Sequence, residues 1–146
     1  MLRRRKAYYT ALQAASTDNA VTSWIAWFAG ITIEAQRRTL ARVEFVVDKT
    51  KLLGRLRDRL NDRQEKALLR MLREGPEGFA GGLSAGNYMT ITGAPPATAT
   101  RDLVDMVGKG ALLRTGERRH ARYHLAIPLR PVRPVTVEED GGLREA

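Results

Sequence analysis

Cysteine is missing from the 146 residues and histidine occurs only twice. No disulfide framework or thiolate metal site can be built from such a chain, and a structural zinc site would want for ligands, so we expect no metal and a reducing, cytoplasmic setting. Long apolar runs are scarce as well. The most apolar stretch, Val21 to Ile33, is about thirteen residues and is interrupted by Thr22, Ser23 and Thr32, too short for roughly 30 Å of hydrocarbon. Arg3, Arg4, Arg5 and Lys6 are followed by AYYTALQAASTD and not by the apolar core of a signal peptide. A soluble protein without a membrane partner is expected. Phosphate-cradling loops are absent too: neither GxGxxG nor GxxxxGKS/T occurs, and the glycines between Gly75 and Gly82 lead into no lysine-serine pair, so no nucleotide cofactor is expected.

What is present is a foldable and basic chain. At 43% hydrophobic it can bury a core, as one ordinary domain or two small ones. Its 25 lysines and arginines against 16 acids give a net charge of +9, which favours a polyanionic partner or surface. Residues 1–60 hold twelve basic and five acidic residues, 61–130 eleven and seven, 131–146 two and four. Much of the excess therefore lies outside the segment with the clearest motif.

That segment is Ala94 to Leu125. Helical recurrence predicts a short helix with Ala99, Leu103, Val107 and Thr100, Val104 facing inward, and Thr98, Arg101, Asp102 and Asp105 outward. Gly108 and Gly110 stop it. Leu112 and Leu113 open a strand, Gly116 to Arg119 turn it, and Ala121, Tyr123, Leu125 and Ile127 alternate with Arg122, His124 and Ala126 in a second. This reads as a recognition helix followed by a wing with Arg118, Arg119 and Arg122 at its tip.

Upstream, Arg5 to Ala15 predicts a helix with Tyr8, Leu12 and Ala15 on one face. Beside an ordinary N-terminal helix, its abrupt basic start admits the expectation of a segment cut from a longer chain, or of one that packs on a missing neighbour. Thr22 or Ser23 should cap a second helix whose face, Trp24, Ile25, Trp27, Phe28, Ile31 and Ala35, should anchor the first half by aromatic burial. A further long helix carries the sparser stripe Leu40, Val43, Val47, Leu53, Leu56 and Leu60, broken near Gly54. Such a narrow stripe is either an inner face or the seam of a homodimer.

A boundary is expected near Leu60. Asn61 or Asp62 should cap a helix with Ala67, Leu68, Met71 and Leu72 inward, ended by Gly75 and Pro76. Ser84 starts another short helix that holds Tyr88, and Thr92-Gly93 turns into the Ala94 segment. Helices, turn, helix and ribbon in this order make a winged helix-turn-helix over 61–130. The whole is mainly α: N-terminal helices over 1–60, the winged helix, and a tail over 131–146 expected to be disordered for its alternating prolines and acidic cluster.

The order YYTALQAA, VTSWIAWFAGITIEA, LNDRQEKALLRML and TGAPPATATRDLVDMVGKGALLRTGERRHARYHL resembles the C-terminal region of long bacterial Fic-family proteins, over roughly residues 5–127. In that family the region follows the catalytic core and ends in a winged helix with a G-x-G-R-x-T-x-Y-x-L ribbon. Gly116, Arg119, Tyr123 and Leu125 keep that pattern. His120 and Ala121 stand where small hydroxyl residues are common, and Pro95 and Pro96 near the place of a capping serine. The TATRDL segment alone is also similar to helices of DeoR-type regulators. Nucleotide transfer is implied by the resemblance only for a chain with the HPFxxGNGR loop, and this sequence contains none. A non-enzyme is expected.

Three readings result. One is a winged-helix module that binds double-stranded DNA, with Arg101 at a base edge or phosphate, Thr98 at a phosphate or thymine methyl, and Arg118, Arg119 and Arg122 on phosphates or in the minor groove. Another is a module that docks on a Fic catalytic domain or a target protein, which an outward Asp102 and Asp105 would favour. The third is an autonomous DeoR-like regulator that dimerises through its long helix. Arg101 has a rival partner in Asp105, four residues on.

Overall fold

A computed structural model of the chain describes residues 5–18, 21–138 and 142–145. They form helices α1 (Arg5–Asp18), α2 (Val21–Leu56), α3 (Asp62–Leu72), α4 (Ala85–Thr92) and α5 (Pro96–Gly108), then strands β1 (Leu112–Thr115), β2 (Arg122–Leu125), β3 (Val135–Val137) and β4 (Leu143–Glu145). Helix dominates, joined by two small antiparallel sheets, β1 with β2 and β3 with β4. The chain divides into two compact units, Met1–Leu40 with Val132–Ala146, and Ala41–Pro131.

The two helices expected between Thr22 and Leu60 are one. α2 runs 36 residues, about 54 Å at 1.5 Å per residue. Thr22 and Ser23 lie inside its first turn, not at its cap. Gly54 leaves it unbroken because burial outweighs the roughly 1 kcal/mol that glycine costs: Phe45, Leu52 and Leu56 lie in the core of the second unit. Thr32, Thr39 and Thr50 donate to the carbonyls four residues back, which keeps their hydroxyls paired within the helix. α2 ends where Asp58 takes a left-handed backbone, φ 58°.

The first unit holds α1, the start of α2 and the β3–β4 hairpin. Residues 131–146, expected as a disordered tail, thus carry a hairpin. Its physical basis is legible afterwards: Pro131 and Pro134 precede the strand instead of interrupting it, and Val135 is buried where Gly30 of α2 admits the strand's backbone. A Cβ on Gly30 would come within 2.9 Å of the Val135 carbonyl oxygen. Tyr8 of α1 meets Trp27 at 5.8 Å between ring centroids, and Trp24 stacks on Phe28 at 5.4 Å. The aromatic face is nevertheless only part-buried, with Ile25 at 56% and Phe28 at 44% exposure.

The second unit begins at Ala41 and not near Leu60, because Ala41, Phe45, Leu52 and Leu56 point inward. Of the expected stripe, Leu56 is buried, Leu53 and Leu60 are half-buried, and Leu40, Val43 and Val47 are exposed. α3 opens on a capping box: Asn61 accepts from the Gln64 amide at 3.0 Å and Gln64 returns its side-chain oxygen to the Asn61 amide at 3.1 Å. Ser84 caps α4, and Gly93 closes it in the left-handed conformation. Pro96 occupies the first turn of α5, where a missing N–H costs nothing. Leu68, Met71, Leu83, Tyr88, Leu103, Met106 and Leu112 are fully buried, each worth roughly 1.5–3 kcal/mol of transfer out of water. Leu83 pairs with β2 through reciprocal bonds to Tyr123 at 2.8 and 2.9 Å. A short third strand position thus flanks the β1–β2 hairpin.

Candidate nucleic-acid interface

Helix α5 presents a face different from the one its apolar pattern predicts. Ala99, Asp102, Leu103 and Met106 are buried, while Thr100 is exposed and Val104 is 55% exposed. Asp102, expected on the outer face, is turned inward. A carboxylate is admitted there because both of its oxygens have donors: Tyr88 Oη at 2.9 Å and Arg63 Nε at 3.0 Å on Oδ2, and Asn61 Nδ2 at 3.4 Å on Oδ1. Burial pushes its carboxyl up, but the bonds from Arg63, Tyr88 and Asn61 with the Arg63 charge outweigh it and hold the group below the usual carboxylate range. Burial, then the bond to Asp102, pushes the Tyr88 phenol up, so it stays a donor. Arg63 is likewise raised by the same carboxylate.

Asp105 remains outward but is engaged. Lys109 Nζ lies at 2.5 Å and Gln64 Nε2 at 2.8 Å from its Oδ2, and these bonds hold its carboxyl low. Asp105, the rival partner weighed for Arg101, is taken by Lys109 instead. Gln64 also donates to the Asp102 carbonyl at 3.2 Å, so one residue of α3 pins two positions of α5. Both acids of α5 are thereby committed within the fold.

Ala97, Thr100, Arg101 and Val104 are exposed, one arc at the i, i+3, i+4, i+7 spacing. Thr98 is half-buried at the edge of this arc. Thr100 donates its hydroxyl proton to the Pro96 carbonyl at 3.1 Å. Arg101 is exposed, and no ion pair engages it among the described residues.

The hairpin supplies the remaining cations. Its register sets Leu112 against Leu125, Leu113 against His124, Arg114 against Tyr123 and Thr115 against Arg122. Between the strands Gly116 turns with φ +68°, where a Cβ would lie 2.6 Å from the His120 carbonyl oxygen, so only glycine fits. Arg118 follows in a left-handed backbone, φ 47°. Arg118 and Arg119 are exposed, and Arg119 Nε donates to His120 Nε2 at 3.1 Å. Arg122 is half-buried and donates to the Ala121 carbonyl at 2.9 Å, which fixes its stem near the strand. Arg114, not singled out by the sequence, is exposed as well. Four arginines thus share one hairpin with a single acid, Glu117.

The structure brings Arg118, Arg119 and Arg122 onto one hairpin and sets Arg101 on α5. Sequence reasoning missed the Asn61–Arg63–Tyr88–Asp102 cluster and the outward Val104. Only the placement of Asp102 between Ala99 and Met106 hinted at the first. No group of three or more His, Cys, Asp or Glu residues suited to a metal occurs among the described residues, and no helix among them is long and apolar enough to cross a membrane. Compared with known proteins, the chain matches no protein-family model and no curated sequence.

Proposed function

We propose that residues 61–130 are a winged helix-turn-helix that binds double-stranded DNA, with α5 entering the major groove and the β1–β2 hairpin acting as the wing. The element order supports it: α3, the Leu83 strand position, α4, α5 and the hairpin follow one another as in that motif. The observation that carries the reading is the disposal of the two α5 acids. With Asp102 bound by Arg63 and Tyr88, and Asp105 by Lys109 and Gln64, each acid is countered by a cation of the fold, and Arg101 is the outward charge of α5 that no ion pair engages among the described residues. Arg118, Arg119, Arg114 and Arg122 add a basic hairpin for backbone contacts. Thr98 is a phosphate contact at the helix edge.

In this reading the module is regulatory and non-catalytic, and it resembles the C-terminal region of Fic-family proteins in which the catalytic loop lies elsewhere. Purified protein incubated with labelled ATP should transfer no nucleotide. Duplex binding by the full chain, followed by anisotropy at rising salt, tests the DNA reading; absence of salt-dependent binding at low ionic strength rejects it.

A second reading is favoured by α2. Ile25 and Phe28 in the first unit are exposed apolar residues on a helix rich in aromatics, suited to docking on a protein such as a Fic catalytic domain. Val43, Val46 and Val47 in the second unit are exposed on the same helix and suit pairing with another copy. Sedimentation equilibrium checks the pairing: a monomer at every concentration removes it.

A further inference from the structure

We infer that α5 reads 5-methylpyrimidine groups in the major groove through Val104 and Ala97, beside a base pair contacted by Arg101. The inference rests on the DNA reading above and specifies what that site prefers. Its basis is the composition of the outward arc. Ala97, Val104 and Thr100 are exposed on it, and Val104 keeps 55% of its surface in water. Thr100 has committed its hydroxyl proton to Pro96, so it has no donor left for a base edge. Gln64 and Lys109 both engage Oδ2 of Asp105, so that oxygen is already taken. Apart from Arg101, the arc therefore offers methyl groups and no free donor.

The major groove displays one apolar feature on natural bases, the C5-methyl of thymine, and alanine, threonine-methyl and similar contacts are its usual partners. Arginine takes guanine O6 and N7 as a bidentate fork. A β-branched residue on a solvent-facing helix position also forgoes some helix propensity, so Val104 is a poor choice for a face that meets only water. Charge complementarity singles out the occupant: four arginines on the hairpin and Arg101 on the helix suit a polyanion better than a neutral protein surface. The shared chemistry is the 5-methyl group, whether on thymine or on 5-methylcytosine.

The test uses the full chain and a duplex enriched by it from a random pool. Replacing thymine by deoxyuridine at each position in turn should weaken binding about threefold to fivefold at one or two positions, the order expected for one methyl group leaving water. At those positions cytosine should bind less well than 5-methylcytosine, which separates methyl reading from recognition of the thymine carbonyl. Val104→Ser should make thymine and deoxyuridine equivalent. Salt-dependent duplex binding that is indifferent to deoxyuridine throughout overturns the methyl inference and leaves the DNA reading standing. No duplex binding overturns both, and deoxyuridine sensitivity unchanged in Val104→Ser removes Val104 from the role.

Discussion

Between residues 61 and 112 each helix has chemical punctuation, whereas α2 continues for 36 residues without an internal stop. α3 opens on a capping box, α4 on the Ser84 hydroxyl and closes on Gly93, and α5 begins at a proline. Apolar residues follow the same division. On α3 and α5 Leu68, Met71, Leu103 and Met106 are at most 1% exposed, while on α2 Ile25, Leu40, Val43 and Val46 each keep more than half of their surface in water. Local capping free energy and core burial agree in one region. In the other, periodicity alone does not say which stripe is inner.

Truncations should separate the two regions most clearly. Leu103→Ala removes a fully buried side chain from α5 and should cost about 2–5 kcal/mol by chemical denaturation. Ile25→Ala, matched in chemistry but exposed, should stay within about 0.5 kcal/mol. Equal losses would erase the distinction.

The polar cluster sharpens the same contrast. Asp102→Ala leaves the Tyr88 hydroxyl buried without its acceptor and should cost about 1–3 kcal/mol. The carboxyl is held below its ordinary value of 3.8, so its stabilisation is present above that value and lost as pH falls through the lower folded value. Stability of the native chain should therefore fall more steeply in acid than that of Asp102→Asn. Parallel acid limbs would show that Asp102 titrates as it does when unfolded. Smaller again, Asn61→Ala removes the α3 cap and should cost about 1 kcal/mol.

How much of this was legible in the sequence follows from the same physics. α3, α4, α5 and the β1–β2 hairpin were predicted at close to their observed limits because Asn61, Ser84, Gly93 and Gly116 are the residue types that caps and left-handed turns require. The facing of α5 was not, because a hydrophobicity count assigns Val104 inward and Asp102 outward. Only tertiary partners from α3 and α4, 39 and 14 positions away in the chain, supply the donors that let a carboxylate be buried. The break expected near Gly54 does not form, because that glycine's local penalty is smaller than the burial of Phe45, Leu52 and Leu56. The β3–β4 hairpin depends on the approach of Val135 to Gly30, a contact over a hundred residues long that no local pattern announces. Among the site residues, Arg101, Arg118 and Arg119 lie exposed as expected, and Thr98 and Arg122 are half-buried.

The β1–β2 hairpin offers the most direct test of the proposed DNA binding. Binding of the full chain to duplex DNA should fall with salt, each phosphate neutralised adding about −0.9 to the slope of log K against log salt. Reversing Arg118 and Arg119 to glutamate should flatten that slope by about two units and weaken all sequences alike, whereas Arg101→Ala should relax preference at one base pair at a cost of about 1–3 kcal/mol. A slope unchanged by the double reversal, or no salt-dependent binding in the unaltered protein, would contradict it.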